Sequence, residues 1–295
     1  MHIRPNCVRV QSVRAPQCPG VHARADGQSS DLLRMRITRY QLLLTVTFGL
    51  ALVVLLSTMG TTRWVLLSLL FAACSSLAGL GVSFPQWQMF GPSLCQVRTA
   101  ERVVALTFDD GPDPVNTPAL LDLLARKRAR ASFFCVGYKV ARHTEVAQRI
   151  AAEGHLIGNH SFAHSYWTNC FGEARLRADL ERAQSEIARV TGATPKYFRP
   201  PMTLTNQRVF RVVRALSLTV AGYSIRGYDR GNADGQRVLT RMLRRMHPGA
   251  IILMHDGGVP VERLLTLVEG LVDQLQVQGY RCLRLDELAA CGAAA

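Results

Sequence analysis

The sequence predicts an α/β protein, an incomplete (β/α) barrel of about seven β/α units behind an N-terminal transmembrane helical hairpin. Three observations predict it. Short apolar runs alternate with amphipathic stretches from about residue 100 to residue 290. Four polar clusters sit beside such runs, where an α/β barrel keeps its active site at the C-terminal strand ends. Two uncharged apolar stretches, Leu42–Met59 and Trp64–Phe84, precede all of this. Of the 295 residues, roughly the last two hundred suffice for one such domain, so the front of the chain must be something else.

Residues 1–34 carry Pro, Gly, Ser and Gln without apolar periodicity and read as a disordered basic tail. Met35 begins an ordinary start for a membrane-inserted protein, so that tail reads as dispensable or untranslated. Residues 35–92 form the membrane region. At 1.5 Å per residue each apolar stretch crosses a hydrocarbon core of about 30 Å, the first only just. A four-residue link holding Arg63 separates them, too short for a domain, hence a hairpin. Seven arginines (Arg4, Arg9, Arg14, Arg24, Arg34, Arg36, Arg39) against two acids precede Leu42, whereas the link has one arginine. The positive-inside rule then places the N-terminus in the cytoplasm, and two spans return the downstream domain to the cytoplasmic face of the inner membrane, with Arg98 and Arg102 in agreement. A signal anchor plus an interfacial helix is the competing arrangement, and it leaves the domain outside.

Between 93 and 290 the apolar runs Val103–Phe108, Ala131–Val136, His155–Gly158, Tyr197–Phe198, Leu218–Ser224, Ala250–Met254 and Arg281–Leu285 read as strands. The stretches Pro118–Arg128, Glu145–Glu153, Glu173–Val190, Gln207–Leu216, Gln236–Met246 and Val261–Gln278 read as helices. Residues 291–295 read as a tail. The net charge of +14 comes with 32 arginines and 3 lysines, for which coding bias is as good a reason as an acidic ligand. No aromatic-interleaved basic stripe or nucleic-acid motif is present, so nucleic acid is not expected as a partner. The eight cysteines show no C-x-x-C spacing and read as mostly free thiols, with a Cys95–Cys170 or Cys282–Cys291 bridge left open.

Chemistry concentrates in the clusters. Thr107-Phe108-Asp109-Asp110-Gly111-Pro112 puts two carboxylates where a buried strand ends, and His160-Ser161-Phe162-Ala163-His164 supplies two imidazoles that share a face if they lie on a helical turn. One carboxylate and two histidines make a hydrolytic metal site with open positions, and the second carboxylate is free to act as a base. Either cluster alone has a plainer reading, a turn cap or a surface histidine pair. Arg199-Pro200-Pro201 and Leu253-Met254-His255-Asp256-Gly257 beside two more runs favour the chemical one.

In order and spacing these clusters resemble the polysaccharide deacetylase family, also called the NodB homology domain or carbohydrate esterase family 4, over about residues 100–290. The resemblance implies a distorted (β/α) barrel, with Asp109 as general base and Asp110, His160 and His164 as metal ligands. It implies that Arg199 orients the base, that the main-chain N–H of Met202 helps bind the oxyanion, and that His255 is the general acid. Leu253, with Pro200 and Pro201, would line the substrate pocket. Arg226-Gly227-Tyr228-Asp229-Arg230 keeps only the second aspartate of the family's D-x-x-D-W motif, so Asp229 would tune His255. Met202 stands where the family commonly has tyrosine and Arg230 where it has tryptophan; both losses alter the sugar groove more than the chemistry.

The metal is expected to be Zn²⁺, although two histidines and one aspartate also suit Co²⁺, Ni²⁺ or Fe²⁺. Such an ion polarises an amide carbonyl and lowers the pKa of a bound water to about 7, and an expelled amine then needs a proton donor. The leading expectation is a hydrolase removing acetyl groups from an N-acetylated glycan. Next come deacetylation or deformylation of a lipid-linked sugar at the inner membrane, O-acetyl esterase activity on a polysaccharide, and last an inactive glycan-binding member. The sequence leaves the oligomeric state open.

Overall fold

A computed structural model describes residues 37–230 and 234–293. The basic tail expected over 1–34 lies outside them. Two long apolar helices come first, α1 (Arg39–Ser57) and α2 (Gly60–Ser83), packed against each other. They are longer than the apolar stretches suggest, and the link shrinks to Thr58 and Met59. Arg63, expected in the link, lies in the first turns of α2, where its guanidinium donates to the Thr58 carbonyl. Thr38 caps α1 in a reciprocal box with Gln41, as a Thr-x-x-Gln sequence allows.

The rest of the chain forms β1 (Val103–Asp109), α3 (Asn116–Arg126), β2 (Ser132–Cys135), α4 (Gly137–Arg142), α5 (Thr144–Ala152), β3 (Leu156–Asn159), α6 (Glu173–Thr191), β4 (Tyr197–Phe198) and α7 (Gln207–Ala215). It continues through β5 (Thr219–Val220), β6 (Ile225–Arg226), α8 (Gly235–Arg244), β7 (Ala250–His255), α9 (Val261–Val277), β8 (Arg281–Leu283) and α10 (Leu285–Ala293). All strand pairings are parallel, in the order β5-β4-β3-β2-β1-β7-β6, with β8 beside the start of β1. This is the incomplete (β/α) barrel of about seven β/α units expected; among the described residues seven strands form the continuous path and β8 joins it beside β1. The run Leu218–Ser224 holds only the two-residue β5, and β6 begins after it.

β1 is central and buried along its whole length, which is why Val103–Phe108 reads as a continuous apolar run without alternation. It pairs with β2 and β7, and one hydrophobic cluster fills the space between these strands and α3, α8 and α9, with Phe108 and Phe133 stacked at 5.3 Å. Each such side chain contributes about 1.5–3 kcal/mol on burial. A second cluster joins α6, α7, β4 and β5 to Met89 and Phe90, and Tyr40, Leu43 and Val82 of the helical hairpin pack onto it.

Within residues 84–92, Met89 and Phe90 join the second cluster with Phe210, and the ring of Phe90 also meets Tyr40 of α1 at 5.0 Å. Residues 291–293, expected as the start of a tail, are instead the end of α10, whose Leu285 and Leu288 are buried in a third cluster. No disulfide joins the six described cysteines, so neither Cys95–Cys170 nor Cys282–Cys291 pairs.

Candidate active site

Parallel strands point the same way, so residues at their C-terminal ends share one rim. Asp109 ends β1 and is in direct register with His255 at the end of β7, while His160 follows β3, Arg199 follows β4 and Asp229 follows β6. Asp109, Asp110, His160, Arg199, Asp229 and His255 are all buried. The structure brings these residues of five separate sequence clusters together.

Arg199 is fully buried and every one of its guanidinium nitrogens is used. Nη1 donates to Asp109 Oδ1 and to Thr107 Oγ1, both at 2.8 Å, while Nε and Nη2 donate to the carbonyls of Ala221 (3.2 Å) and Gly222 (2.8 Å). The ring of Phe134 lies 4.1 Å beneath its carbon centre. The planar donor fork of arginine suits this task where a lysine would not. Asp109 is thereby held through Oδ1, and its Oδ2 faces His160 Nε2 at 4.0 Å.

Asp110 turns the other way, in a left-handed backbone conformation at φ 74°. Its Oδ1 is 2.9 Å from His164 Nε2 and 3.3 Å from His160 Nε2. His160 Nδ1 is 2.7 Å from the carbonyl of Arg199, which can only accept, so Nδ1 carries the proton and Nε2 presents its lone pair.

The two histidines do not lie on a helical turn. His160 directly follows β3 and His164 sits on an irregular loop whose Ser161 and His164 have φ of 65° and 46°. That loop is held by side chains. Asp179 of α6 accepts from the N–H groups of Phe162 and Ala163, Ser161 Oγ accepts from His164 N, and Asn159 Oδ1 accepts from Ser161 N. A local helix is replaced by side-chain capping of its backbone donors.

Ligand atoms of Asp110, His160 and His164 all lie within 4.8 Å of one another, so the donor set fits a divalent cation. Burial lowers the pKa of both imidazoles, that of His164 to about 4, with His160 itself adding to the shift. Neutral imidazole is the form that ligates. Affinity for Zn²⁺, measured by equilibrium dialysis, should therefore stay level through the range near 6.5 where free histidine titrates. It should fall only as the pH drops toward about 4. A loss centred near the ordinary histidine value would contradict this.

On the far side of Asp109, both oxygens of Asp229 are committed to His255, Oδ1 to Nδ1 at 2.9 Å and Oδ2 to the main-chain N–H at 2.7 Å. The imidazole is fixed with Nε2 left for a substrate. Leu253 is buried in β7, Pro200 and Pro201 are buried, and Met202 is exposed with a left-handed φ of 58°.

Three residues at the site had no role in the sequence reading. Asp256 lies fully buried under Gly111, accepts from Thr117 Oγ1 at 2.5 Å, and is pushed up to about 6 by burial. Asp179 is one more acid on an amphipathic helix, with nothing in the sequence to single it out. Arg230, read only as a missing tryptophan, brings its guanidinium onto Asp110 Oδ2.

Comparison with known proteins agrees with this geometry. Residues 96–221 match the Polysaccharide deacetylase family. A peptidoglycan-N-acetylglucosamine deacetylase of Bacillus cereus is 32% identical over 195 residues, 65% of this chain and 91% of the relative. The chain belongs to the polysaccharide deacetylase family. A chitooligosaccharide deacetylase of Bradyrhizobium is 35% identical over 162 residues, 55% of this chain and 74% of the relative. The crystal structure of the peptidoglycan deacetylase PdaC from Bacillus subtilis superposes with a TM-score of 0.61 at 26% identity, covering 67% of this chain and 95% of that one. In this polysaccharide deacetylase, Met202, Arg226 and Arg230 lie on a short turn, at a strand end and on a loop, all at or past the C-terminal ends of the strands.

Proposed function

We propose that this polysaccharide deacetylase hydrolyses the acetamide of an N-acetylated sugar, with Asp109 as general base, His255 as general acid, and Asp110, His160 and His164 as the residues that would hold a divalent metal. The observation that carries the reading is the split between two neighbouring aspartates. Asp109 is tied to Arg199, while Asp110 faces two imidazoles. One carboxylate can accept a proton and the other can hold a cation.

A bound divalent ion supplies Lewis acidity for the amide carbonyl and acidifies water. Arg199 fixes Asp109 through Oδ1, which leaves Oδ2 to take a proton from the attacking water. The main-chain N–H of Met202, directly after two prolines, is the group assigned to help bind the oxyanion. His255 gives its proton to the departing amine, and Asp229 fixes the orientation of the imidazole through Nδ1. The test is acetate and formate release from chito-oligosaccharides, peptidoglycan and undecaprenyl-linked sugars by the full-length protein. Release from none of them, in a protein that binds Zn²⁺, would leave the glycan-binding reading.

A lipid-linked sugar is the second reading, and the hairpin favours it. Both helices are long and apolar enough to cross a membrane, and a two-residue link makes them antiparallel, so the barrel and the arginine-rich N-terminus share a side. That side is cytoplasmic by the positive-inside rule, where lipid-linked precursors are made and assembled wall polymer is absent. A C-terminal reporter active only in the cytoplasm should be active. A reporter active only outside it would return exported glycan to first place.

A further inference from the structure

A continuous set of contacts runs from the end of the helical hairpin to the loop that carries His164. Thr205, two residues beyond the Pro200–Thr203 turn, donates its N–H to the carbonyl of Val82 in the last turn of α2 at 3.1 Å. Asn206, which caps α7, donates from Nδ2 to the carbonyl of Asn169 at 2.6 Å. Asn169 lies on the segment Ser165–Cys170, directly after His164. The depth of this region follows from a groove of about 340 Å³ in which Asn206 and Arg208 of the α7 start face Ala78, Gly79 and Val82. Gly79 stands four residues inside the end of α2 at Ser83, about 6 Å at the helical rise of 1.5 Å per residue. The start of α7 and the segment attached to it therefore lie level with the last turn of a membrane helix.

Two large aromatic side chains on that segment point into solvent. Tyr166 is 74% exposed and Trp167 is 71% exposed. Tyrosine and tryptophan are the residues that settle at the headgroup level of a bilayer. Arg208 is exposed at the start of α7, facing the end of α2, and Arg39 starts α1 at the same end of the hairpin, cations that attract an anionic surface.

We propose that Tyr166, Trp167 and the start of α7 form a docking surface for a membrane containing anionic lipid, which seats the mouth of the metal site in the headgroup layer. The proposal rests on the hairpin spanning the membrane and deepens the second reading above. The substrate it selects is an N-acetylated sugar held at the bilayer surface by its own lipid.

Tryptophan fluorescence tests it in the full chain, reconstituted in vesicles of phosphatidylethanolamine and phosphatidylglycerol that carry lipid brominated high on the acyl chain. A variant keeping only Trp167 (W64F with W87F) should emit to the blue of water-exposed tryptophan and be quenched. A variant keeping only Trp64, at the far end of the hairpin, is the control (W87F with W167F). Quenched Trp64 with unquenched Trp167 would overturn the docking and spare the hairpin; unquenched Trp64 would overturn both. In the same vesicles, Tyr166→Ser with Trp167→Ser should lower kcat/KM on an N-acetylglucosaminyl lipid by about tenfold and leave that on soluble chito-oligosaccharide unchanged. Equal loss on the two substrates would also overturn it. A protein that turns over neither fails the deacetylase reading, and quenching still decides the docking.

Discussion

Asp109→Asn is expected to lower kcat by about 10³-fold, in the 10²–10⁴ range that general acid–base groups contribute, while Zn²⁺ affinity stays near the wild-type value. The geometry supports both halves. Asparagine can still accept the Arg199 hydrogen bond through its carbonyl oxygen, so the local structure is kept. It presents no basic oxygen where Asp109 Oδ2 faces His160 at 4.0 Å. Asp110→Asn is the complementary change and should lose the metal first, since Oδ1 is the atom that meets both imidazoles. Equilibrium dialysis beside steady-state kinetics separates the two. If Asp109→Asn released the metal, the assignment of base and ligand would have to be exchanged.

Arg199→Ala should have the largest effect on stability, a loss of about 3–5 kcal/mol, because removing one partner of a buried pair leaves the other charge uncompensated. The Ala221 and Gly222 carbonyls and the Asp109 carboxylate would all lose a donor inside the barrel. β4 and β5 are two residues long and hold few ladder bonds of their own, so the guanidinium is also a tie between them and β1. Thermal unfolding followed by circular dichroism in detergent should show the midpoint fall well below those of wild type and of Asp109→Asn. An Arg199→Ala protein as stable as Asp109→Asn would mean that the pair serves the base alone.

The contrast between β1 and the histidine loop explains how much of this was legible in sequence. Val103–Phe108 and Ala250–Met254 are buried on both faces, and a strand of that kind writes itself as an apolar run. The clusters at their ends were equally visible, because Asp, His and Arg are seldom placed beside such runs without a partner. The irregular path of His160–His164 was hidden. Spacing alone suggests a helical turn there, and the residue that decides otherwise, Asp179, sits on another element. β6 was hidden by its length, two residues being too few for any period. The reach of Arg230 onto Asp110 was hidden by distance in the chain.

The seat of Met89 and Phe90 against Phe210 bears on how the molecule is made. The ribosome releases the hairpin and residues 89–90 well before α7, so their apolar surface waits for its cover. At ordinary elongation rates of roughly 5–20 residues per second, the wait is on the order of ten seconds. Tyr40, Leu43 and Val82, which pack onto these two side chains in the folded protein, are all made before α7 and can cover them in the meantime. The hairpin thus serves the nascent chain as its first chaperone, and a barrel synthesised without residues 37–92 should emerge with Phe210 bare and prone to aggregate.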